Sequence, residues 1–214
     1  MAAETSDQGF FADSGFVSRE TWDRLRVYAD LVRKWQPSIN LISPKTLPDL
    51  WERHILDSLQ VFRLRPDPLT WIDMGSGAGF PGFVTAICLT DLGAGWVHLV
   101  ESNNKKAAFL RQAISQTGAR ASVHPLRMET MHGEIAGVDA ISARALASLP
   151  VLLDYAAPFA LANPKLELWF HKGLDYPGEV RSARDLWGFD LIEHSSLGQD
   201  GSAILQISKL SKRN

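Results

Sequence analysis

The chain lacks the features that mark exported or membrane-bound proteins. It has a single cysteine, Cys88, so no disulfide can form within the chain, which fits a reducing compartment. Its first residues carry acids and no basic cluster ahead of an apolar stretch, unlike a signal peptide. No apolar run approaches the roughly 20 residues that a membrane helix needs. We therefore expect a cytoplasmic protein that does not associate with a membrane.

The chain also lacks an excess of basic residues. Lys and Arg together number 22 against 24 Asp and Glu, which gives a formal net charge of -2. This balance disfavours binding to nucleic acid through overall charge, although a local basic face can still contact RNA. The content of 45% hydrophobic and 21% charged residues is typical of a globular protein and excludes the disordered and fibrous classes.

Three parts of the chain differ in their sequence pattern. Residues 1–17 show no periodicity, which predicts a flexible N-terminal arm. Residues 18–66 carry apolar side chains at helical spacing, which predicts a helical N-terminal segment. Ser18 is the expected N-cap of its first helix, and Pro37 is expected to end that helix. A second helix is predicted over residues 46–62.

Residues 67–214 predict an α/β domain. Short apolar runs alternate with helical stretches, which is typical of a mainly parallel sheet wrapped by helices. The last two runs have no helix between them, and Asp200-Gly201 predicts the turn of an antiparallel hairpin. The seven predicted strands are residues 69–74, 96–101, 121–125, 138–142, 166–170, 189–196 and 203–210. The predicted helices are residues 81–90, 105–117, 149–161 and 177–186.

The sequence WIDMGSGAGFPG, residues 71–82, fits two ligand-binding patterns. Its end matches the dinucleotide pattern G-x-G-x-x-G, and DMGSGAG matches D-x-G-x-G-x-G, in which Gly75, Gly77 and Gly79 let a ligand approach the backbone. A pyrophosphate at the following helix N-terminus would be repelled by Asp73. S-adenosyl-L-methionine (S-adenosylmethionine) carries an ammonium and a sulfonium, which Asp73 would attract directly or through water. The alternative is that Asp73 caps its own turn.

Two further positions extend the predicted donor site. Glu101, at the end of the second strand, can accept hydrogen bonds from ribose hydroxyls of either S-adenosylmethionine or a nicotinamide dinucleotide, and the alternative is a solvated glutamate. Met128 and Glu129 follow the third strand and can pack against adenine and accept from its amino group, or equally begin a helix. Together with Asp73, these residues favour S-adenosylmethionine over the alternative, a nicotinamide-dependent oxidoreductase.

Six motifs, in order, resemble those of one enzyme family. They are NLIS (40–43), RHILDS (53–58), DMGSGAGFPG (73–82), ES with a following lysine (101–105), FLRQ (109–112) and SARALASL (142–149). Over residues 18–210 the chain is similar to the bacterial small-subunit ribosomal RNA guanine-N7 methyltransferases, the glucose-inhibited division B or RsmG family. The resemblance implies a class I, Rossmann-like methyltransferase domain behind a short helical N-terminal segment.

The resemblance also implies the substrates. The methyl donor would be S-adenosylmethionine, without a metal, and the acceptor a guanine of 16S rRNA in the small ribosomal subunit or an assembly intermediate. Another RNA, a small molecule or a protein stays open as acceptor, and we expect a monomer. The predicted donor-binding residues are Asp73, Gly75, Gly77, Gly79, Phe80, Glu101, Ser102, Met128, Glu129 and Arg144.

Methylation of N7 makes modest demands on the enzyme. The N7 lone pair can attack the methyl group directly, so the site needs positioning and charge management rather than a general base. Arg144, just past the fourth strand, is the predicted positioning residue, and a structural salt bridge is the alternative. We expect Arg144→Ala to keep the fold and lose most activity.

Four residues are candidates for contacts with RNA. Arg53 and His54 belong to the RHILDS motif, and Arg127 and Lys172 can contact phosphates. For His54, pairing with Asp57 or with the core is at least as good an explanation. The weak basic character of the chain indicates that shape or ribosomal proteins supply part of the recognition.

Overall fold

The computed structural model describes residues 17–213, so the predicted arm, apart from its last residue, lies outside the described residues. The N-terminal segment contains helix α1 (Arg19–Ile39), a 3-10 turn (Pro44–Thr46), a π-helical stretch (Trp51–Leu56) and helix α2 (Asp57–Leu64). Ser18 caps α1 as predicted, because its hydroxyl accepts a hydrogen bond from the Thr21 amide.

Seven strands form one sheet, as predicted. They are β1 (Thr70–Met74), β2 (Trp96–Val100), β3 (Ala121–His124), β4 (Ala140–Arg144), β5 (Glu167–Lys172), β6 (Trp187–Ser195) and β7 (Ala203–Lys212). Their order is β3-β2-β1-β4-β5-β7-β6. The first five strands are parallel, whereas β7 pairs antiparallel with both β5 and β6. The predicted C-terminal hairpin therefore closes one edge of a parallel sheet.

Five helices alternate with these strands. They are α3 (Gly82–Leu92), α4 (Asn104–Thr117), α5 (Met131–Glu134), α6 (Leu149–Ala162) and α7 (Tyr176–Leu186), with a 3-10 turn at Met128–Thr130 before α5. The bounds agree with the prediction for the four longer helices within two residues. None of the helices within residues 17–213 is long and apolar enough to cross a membrane.

Two predictions in the N-terminal segment were wrong. Pro37 does not end α1, which continues to Ile39. A proline this near the end of a helix removes only its own N–H, and termination falls to Asn40, whose φ of 48° is the left-handed conformation that asparagine tolerates. The predicted helix over residues 46–62 begins later than predicted, because Pro48 lies in a turn after the 3-10 turn; from Leu50 the chain is helical without a break, first as the π-helical stretch and then as α2.

The sheet packs apolar side chains on both faces. On one face, Trp71 and Val97 pack in a core that also contains Leu25 of α1, Phe83 of α3 and Phe109 of α4. On the other face, a second core joins strands β1, β4 and β5 to helices α5, α6 and α7. The N-terminal segment thus shares a core with the α/β part.

The turn after α1 is held by one buried side chain. Gln36 is 7% exposed; its Nε2 donates to the Ile42 carbonyl at 2.7 Å, and its Oε1 accepts from the amides of Leu41 and Ile42. A buried backbone amide or carbonyl that loses its partner is costly, so Gln36 fixes the path of the NLIS motif.

We expect Gln36→Ala to lower the free energy of unfolding by about 2–3 kcal/mol, because three hydrogen bonds to buried backbone groups disappear together. Urea unfolding followed by circular dichroism measures this change. Lys34→Ala, at an exposed position of the same helix, is the matched control and should shift stability by less than about 0.5 kcal/mol. An equal effect in both variants would contradict the role of Gln36.

Candidate functional site

The carboxyl ends of β1 and β4 mark the place where this sheet can bind a ligand. The two strands are parallel neighbours. From β1 the sheet continues through β2 and β3, whereas β5 lies on the far side of β4. Connections that leave neighbouring strands in opposite directions open a crevice above their carboxyl ends, which is the usual ligand site of such sheets. The loop of residues 75–80, called the glycine loop, follows β1 at this crevice. Arg144 is the last residue of β4.

The glycine loop needs its glycines for conformation and for space. Gly75, Gly77 and Gly79 have φ values of 64°, 56° and 106°. A Cβ at Gly79 would lie 2.7 Å from the Phe83 Cβ and 2.8 Å from the Tyr28 hydroxyl. That hydroxyl donates to the Ala78 carbonyl at 2.6 Å. Helix α1 therefore packs directly against the loop and fixes it.

Glu101 also supports the glycine loop. Its Oε2 accepts from the Gly77 amide at 2.8 Å, its Oε1 accepts from the Asn103 amide at 2.7 Å, and the residue is 8% exposed. Glu101 is thus not a solvated strand-end residue. Each carboxylate oxygen has a second lone pair, so both can still accept from a ligand. Ser102 follows it as an exposed residue at the same edge.

Asp73 is fully buried beneath the loop. Its Oδ1 accepts from the Ser142 hydroxyl at 2.6 Å, and a Cβ at Gly82 would overlap its side chain. Burial raises the pKa of Asp73 to about 6, against the lowering effect of the Ser142 hydrogen bond. These contacts tie the Asp73 side chain to β4 and leave no room for a side chain at Gly82; that Asp73 caps its own turn, and that it contacts the donor, both stay predictions.

Met128 and Glu129 follow the carboxyl end of β3. Met128 begins the 3-10 turn that leads into α5 and is 9% exposed, so it contributes to the core. Glu129 is exposed and accepts a hydrogen bond from the Tyr155 hydroxyl at 3.3 Å. The alternative, a helical turn, is therefore what the structure contains; the predicted contact with adenine stays a prediction.

Arg144 is anchored by Asp57, a connection that the sequence analysis did not predict. The Arg144 Nη2 donates to the Arg53 carbonyl at 2.6 Å, and Nη1 lies 3.3 Å from Asp57 Oδ2. Asp57 is 2% exposed and has further partners from other elements. These are His171 Nε2 at 3.5 Å, the Ser196 hydroxyl at 2.5 Å and the Gly198 amide at 3.1 Å. Arg144 therefore forms a structural salt bridge, which was the alternative to its role as a positioning residue.

The candidate RNA contacts differ in their surroundings. Arg53 donates to the Gln199 side chain at 3.1 Å, and Arg127 is exposed. The His54 ring lies 2.9 Å from the Thr46 hydroxyl and 5.1 Å from the Phe80 ring centroid, so its contacts are with the core rather than with Asp57. Burial, together with the Arg144 charge, lowers the pKa of His54 to about 3, which keeps the ring neutral. A neutral ring gives a phosphate no charge.

Lys172 already has two partners. Its Nζ donates to the Ala147 carbonyl at 2.9 Å and lies 2.5 Å from Glu179 Oε2, and its side chain is 8% exposed. Lys172 is therefore held by protein groups, in the wall of a cavity that Arg144 also lines.

Two cavities meet at Arg144. One, of about 410 Å³, lies between the turn at residues 40–43 and the glycine loop. The other, of about 270 Å³, lies between Asp57, His171 and the loop of the C-terminal hairpin. Arg144 and Ala145 line both. The larger one is within the size range of small-ligand sites.

The strand order and the glycine loop define a class I methyltransferase fold. A dinucleotide-binding sheet has the order 3-2-1-4-5-6, whereas here an antiparallel strand lies between β5 and β6. Two solved structures share the architecture. A mutant of MtNAS in complex with S-adenosylmethionine has a TM-score of 0.56 at 13% identity, covering 97% of this chain and 79% of that one. The ribosomal protein L11 methylase from Lactobacillus delbrueckii subsp. bulgaricus has a TM-score of 0.53 at 21% identity, covering 72% and 76%.

Closer relatives identify the family. The GidB family, described as rRNA small subunit methyltransferase G, matches residues 21–206. The Ribosomal RNA small subunit methyltransferase G of Rhizobium meliloti (strain 1021) is 58% identical over 198 residues, 92% of this chain and 93% of that protein. The protein of the same name from Rhizobium leguminosarum bv. trifolii (strain WSM2304) is 57% identical, covering 91% and 95%. The chain belongs to the GidB family and is a methyltransferase.

The raised pKa of Asp73 has a consequence for stability. An acid whose pKa is raised in the folded protein contributes stability that is present below its ordinary pKa of 3.8 and is lost as the pH rises through about 6. Asp73→Asn cannot ionise. Relative to wild type, it should gain about 3 kcal/mol of unfolding free energy between roughly pH 4 and pH 7. Urea unfolding of both proteins across this range gives the difference, and a flat difference would contradict the prediction.

Proposed function

We propose that this protein transfers the methyl group of S-adenosylmethionine to N7 of a guanine in 16S rRNA. The observation that carries the proposal is the glycine loop at the β1–β4 crevice, with Glu101 on one side and Arg144 on the other, in a chain of the GidB family. As proposed, the enzyme acts as a cytoplasmic monomer on the small ribosomal subunit or on an assembly intermediate of it.

The residues around the crevice fit the parts of the donor. Glu101 has lone pairs left for the ribose hydroxyls, with Ser102 next to it. Met128 and Glu129 would hold the adenine. The loop from Gly75 to Phe80 lets the methionine end approach the backbone, and Arg144 would pair with its carboxylate. When bound, the donor supplies an electrophilic methyl group on a cationic sulfur.

Methylation of N7 requires neither a base nor a nucleophile from the enzyme. Guanine N7 carries no proton, so none has to be removed before attack. His54 is a neutral, buried ring, and burial raises the pKa of the Cys88 thiol, which therefore stays protonated. The enzyme's contribution is to hold the acceptor nitrogen in line with the methyl group.

Charge management falls to Arg144 and Asp57. Methyl transfer moves a positive charge from the donor sulfur to the guanine ring, and an isolated arginine would oppose its arrival. Asp57, at 3.3 Å, compensates the Arg144 charge, so the guanidinium can donate hydrogen bonds at a low electrostatic cost to the product. For the RNA itself, Arg53 and Arg127 are the proposed phosphate contacts, because Arg127 is exposed and Arg53 is partly exposed.

Labelled methyl transfer tests the proposed reaction. The protein is incubated with methyl-labelled S-adenosylmethionine and small subunits, or free 16S rRNA, from a strain that lacks its own copy of the enzyme. The RNA is then digested to nucleosides and separated. We expect label in 7-methylguanosine. Label only with free rRNA would keep the reaction and place it early in assembly, whereas no label on either RNA, despite measurable donor binding, would overturn the proposed acceptor.

Arg144→Lys tests the positioning role better than Arg144→Ala. Contrary to the expectation from the sequence that Arg144→Ala keeps the fold, removal of the guanidinium would leave buried Asp57 without its cationic partner, which costs about 3–5 kcal/mol of unfolding free energy. Lysine keeps the charge but loses the planar fork of donors. We expect kcat/KM to fall roughly 100-fold while the urea midpoint stays near that of wild type. Near wild-type kcat/KM in a folded Arg144→Lys protein would contradict the positioning role.

A further inference from the structure

A salt bridge outside the crevice holds the loop between β4 and α6, residues 145–148. The Lys172 Nζ, at the end of β5, donates to the Ala147 carbonyl at 2.9 Å. Glu179, in the first turn of α7, accepts from the Leu149 amide at 2.6 Å. Lys172 and Glu179 are joined at 2.5 Å. One ion pair therefore fixes the loop at its last two peptide groups before α6.

The loop has intrinsic reasons to need this support. Ala145 has a φ of 53°, a left-handed conformation that costs a non-glycine residue about 1–3 kcal/mol. Within the described residues, the Ser148 side chain makes no capping hydrogen bond at the start of α6. Glu179 takes over that task, since its carboxylate accepts from the first amide of the helix, where a negative charge is favourable.

The loop also shapes the donor site. Leu146 lies so close to the glycine loop that a Cβ at Gly75 would be 2.6 Å from its Cδ1. Arg144 precedes the strained residue, and Ala145 lines both cavities. A change in the loop would therefore displace the contact with Gly75 and the end of β4 together. Lys172 and Glu179 line the smaller cavity, together with Arg144, and not the one next to the glycine loop.

We propose that Lys172 and Glu179 are positioning residues that hold residues 145–148 in the conformation required for donor binding. This assigns Lys172 to the donor side of the reaction rather than to RNA phosphates. The inference rests on the proposed function only in identifying the donor as S-adenosylmethionine, and donor binding can be measured without any RNA.

The test is a double-mutant cycle with Lys172→Met, Glu179→Ala and the double variant. Calorimetry gives the Kd for S-adenosylmethionine, and steady-state methylation of 16S rRNA gives kcat and the RNA KM. We expect Lys172→Met to raise the donor Kd and lower kcat, each by roughly tenfold or more, because a displacement of about 1 Å can cost 10²-fold in rate. The double variant should be little worse than either single one, since both remove the same support.

Two controls separate positioning from general damage. Lys172→Arg keeps a cation within reach of Ala147 and Glu179 and should restore most of the donor affinity. Lys165→Met removes an exposed lysine from the turn before β5 and should leave both constants within about twofold of wild type. Urea unfolding of every variant identifies any that is not folded at the assay temperature, and only folded variants are compared.

Distinct results would overturn the proposal. If Lys172 contacts RNA, Lys172→Met will raise the RNA KM and reduce the slope of log binding constant against log salt by about 0.7–0.9, with donor binding unchanged. Additive losses in the double variant would also contradict a shared support. If wild type binds no S-adenosylmethionine, the proposed function fails. If wild type binds it and Lys172→Met binds equally well, the positioning role alone fails.

Discussion

The buried carboxylate of Asp57 joins four separated parts of the chain. It lies at the start of α2, and its partners are Arg144 at the end of β4, His171 on β5, and Ser196 and Gly198 beside the hairpin turn. A carboxylate that is 2% exposed is tolerated only when charge and hydrogen bonds satisfy it. The position of Arg144 above the crevice therefore depends on the N-terminal segment and on the C-terminal hairpin. Both are structural parts of the site.

The glycine loop is likewise held by side chains from other parts of the chain. Tyr28 of α1 donates to its Ala78 carbonyl, Glu101 accepts from its Gly77 amide, and Asp73 is held by Ser142 of β4. Each support comes from a different element, so the loop conformation is overdetermined before any ligand arrives. Such preorganisation keeps the cost of ordering low when a donor binds. The arrangement has a cost in stability, because burial disfavours the ionised carboxylate of Asp73 and so raises its pKa.

Features that depend on neighbouring residues in the chain could be predicted from the sequence, whereas contacts between distant residues could not. The seven strands and the long helices of the α/β part depend on local periodicity and turn residues, and these were predicted within a few residues. The prediction that Pro37 ends α1 was wrong, because a proline this close to the end of a helix does not terminate it. The helix ends at the C-cap residue Asn40 instead. Asp73 and Lys172 were interpreted from charge alone, whereas their partners Ser142 and Glu179 are 69 and 7 residues away and known only from the fold. The Asp57 contacts, which span up to 141 residues, left no local signal beyond the RHILDS motif.

The same contacts show what two of the cations do in a chain whose net charge is -2. Arg144 is paired with Asp57 and Lys172 with Glu179, so two cations near the crevice hold the site together rather than attract phosphate. His54 adds no charge, because its pKa is lowered to about 3. Arg53 and Arg127 remain as proposed phosphate contacts, and two such contacts give only weak electrostatic binding. Under the proposed function we therefore expect recognition to depend on the shape of the RNA and its surroundings as well as on charge.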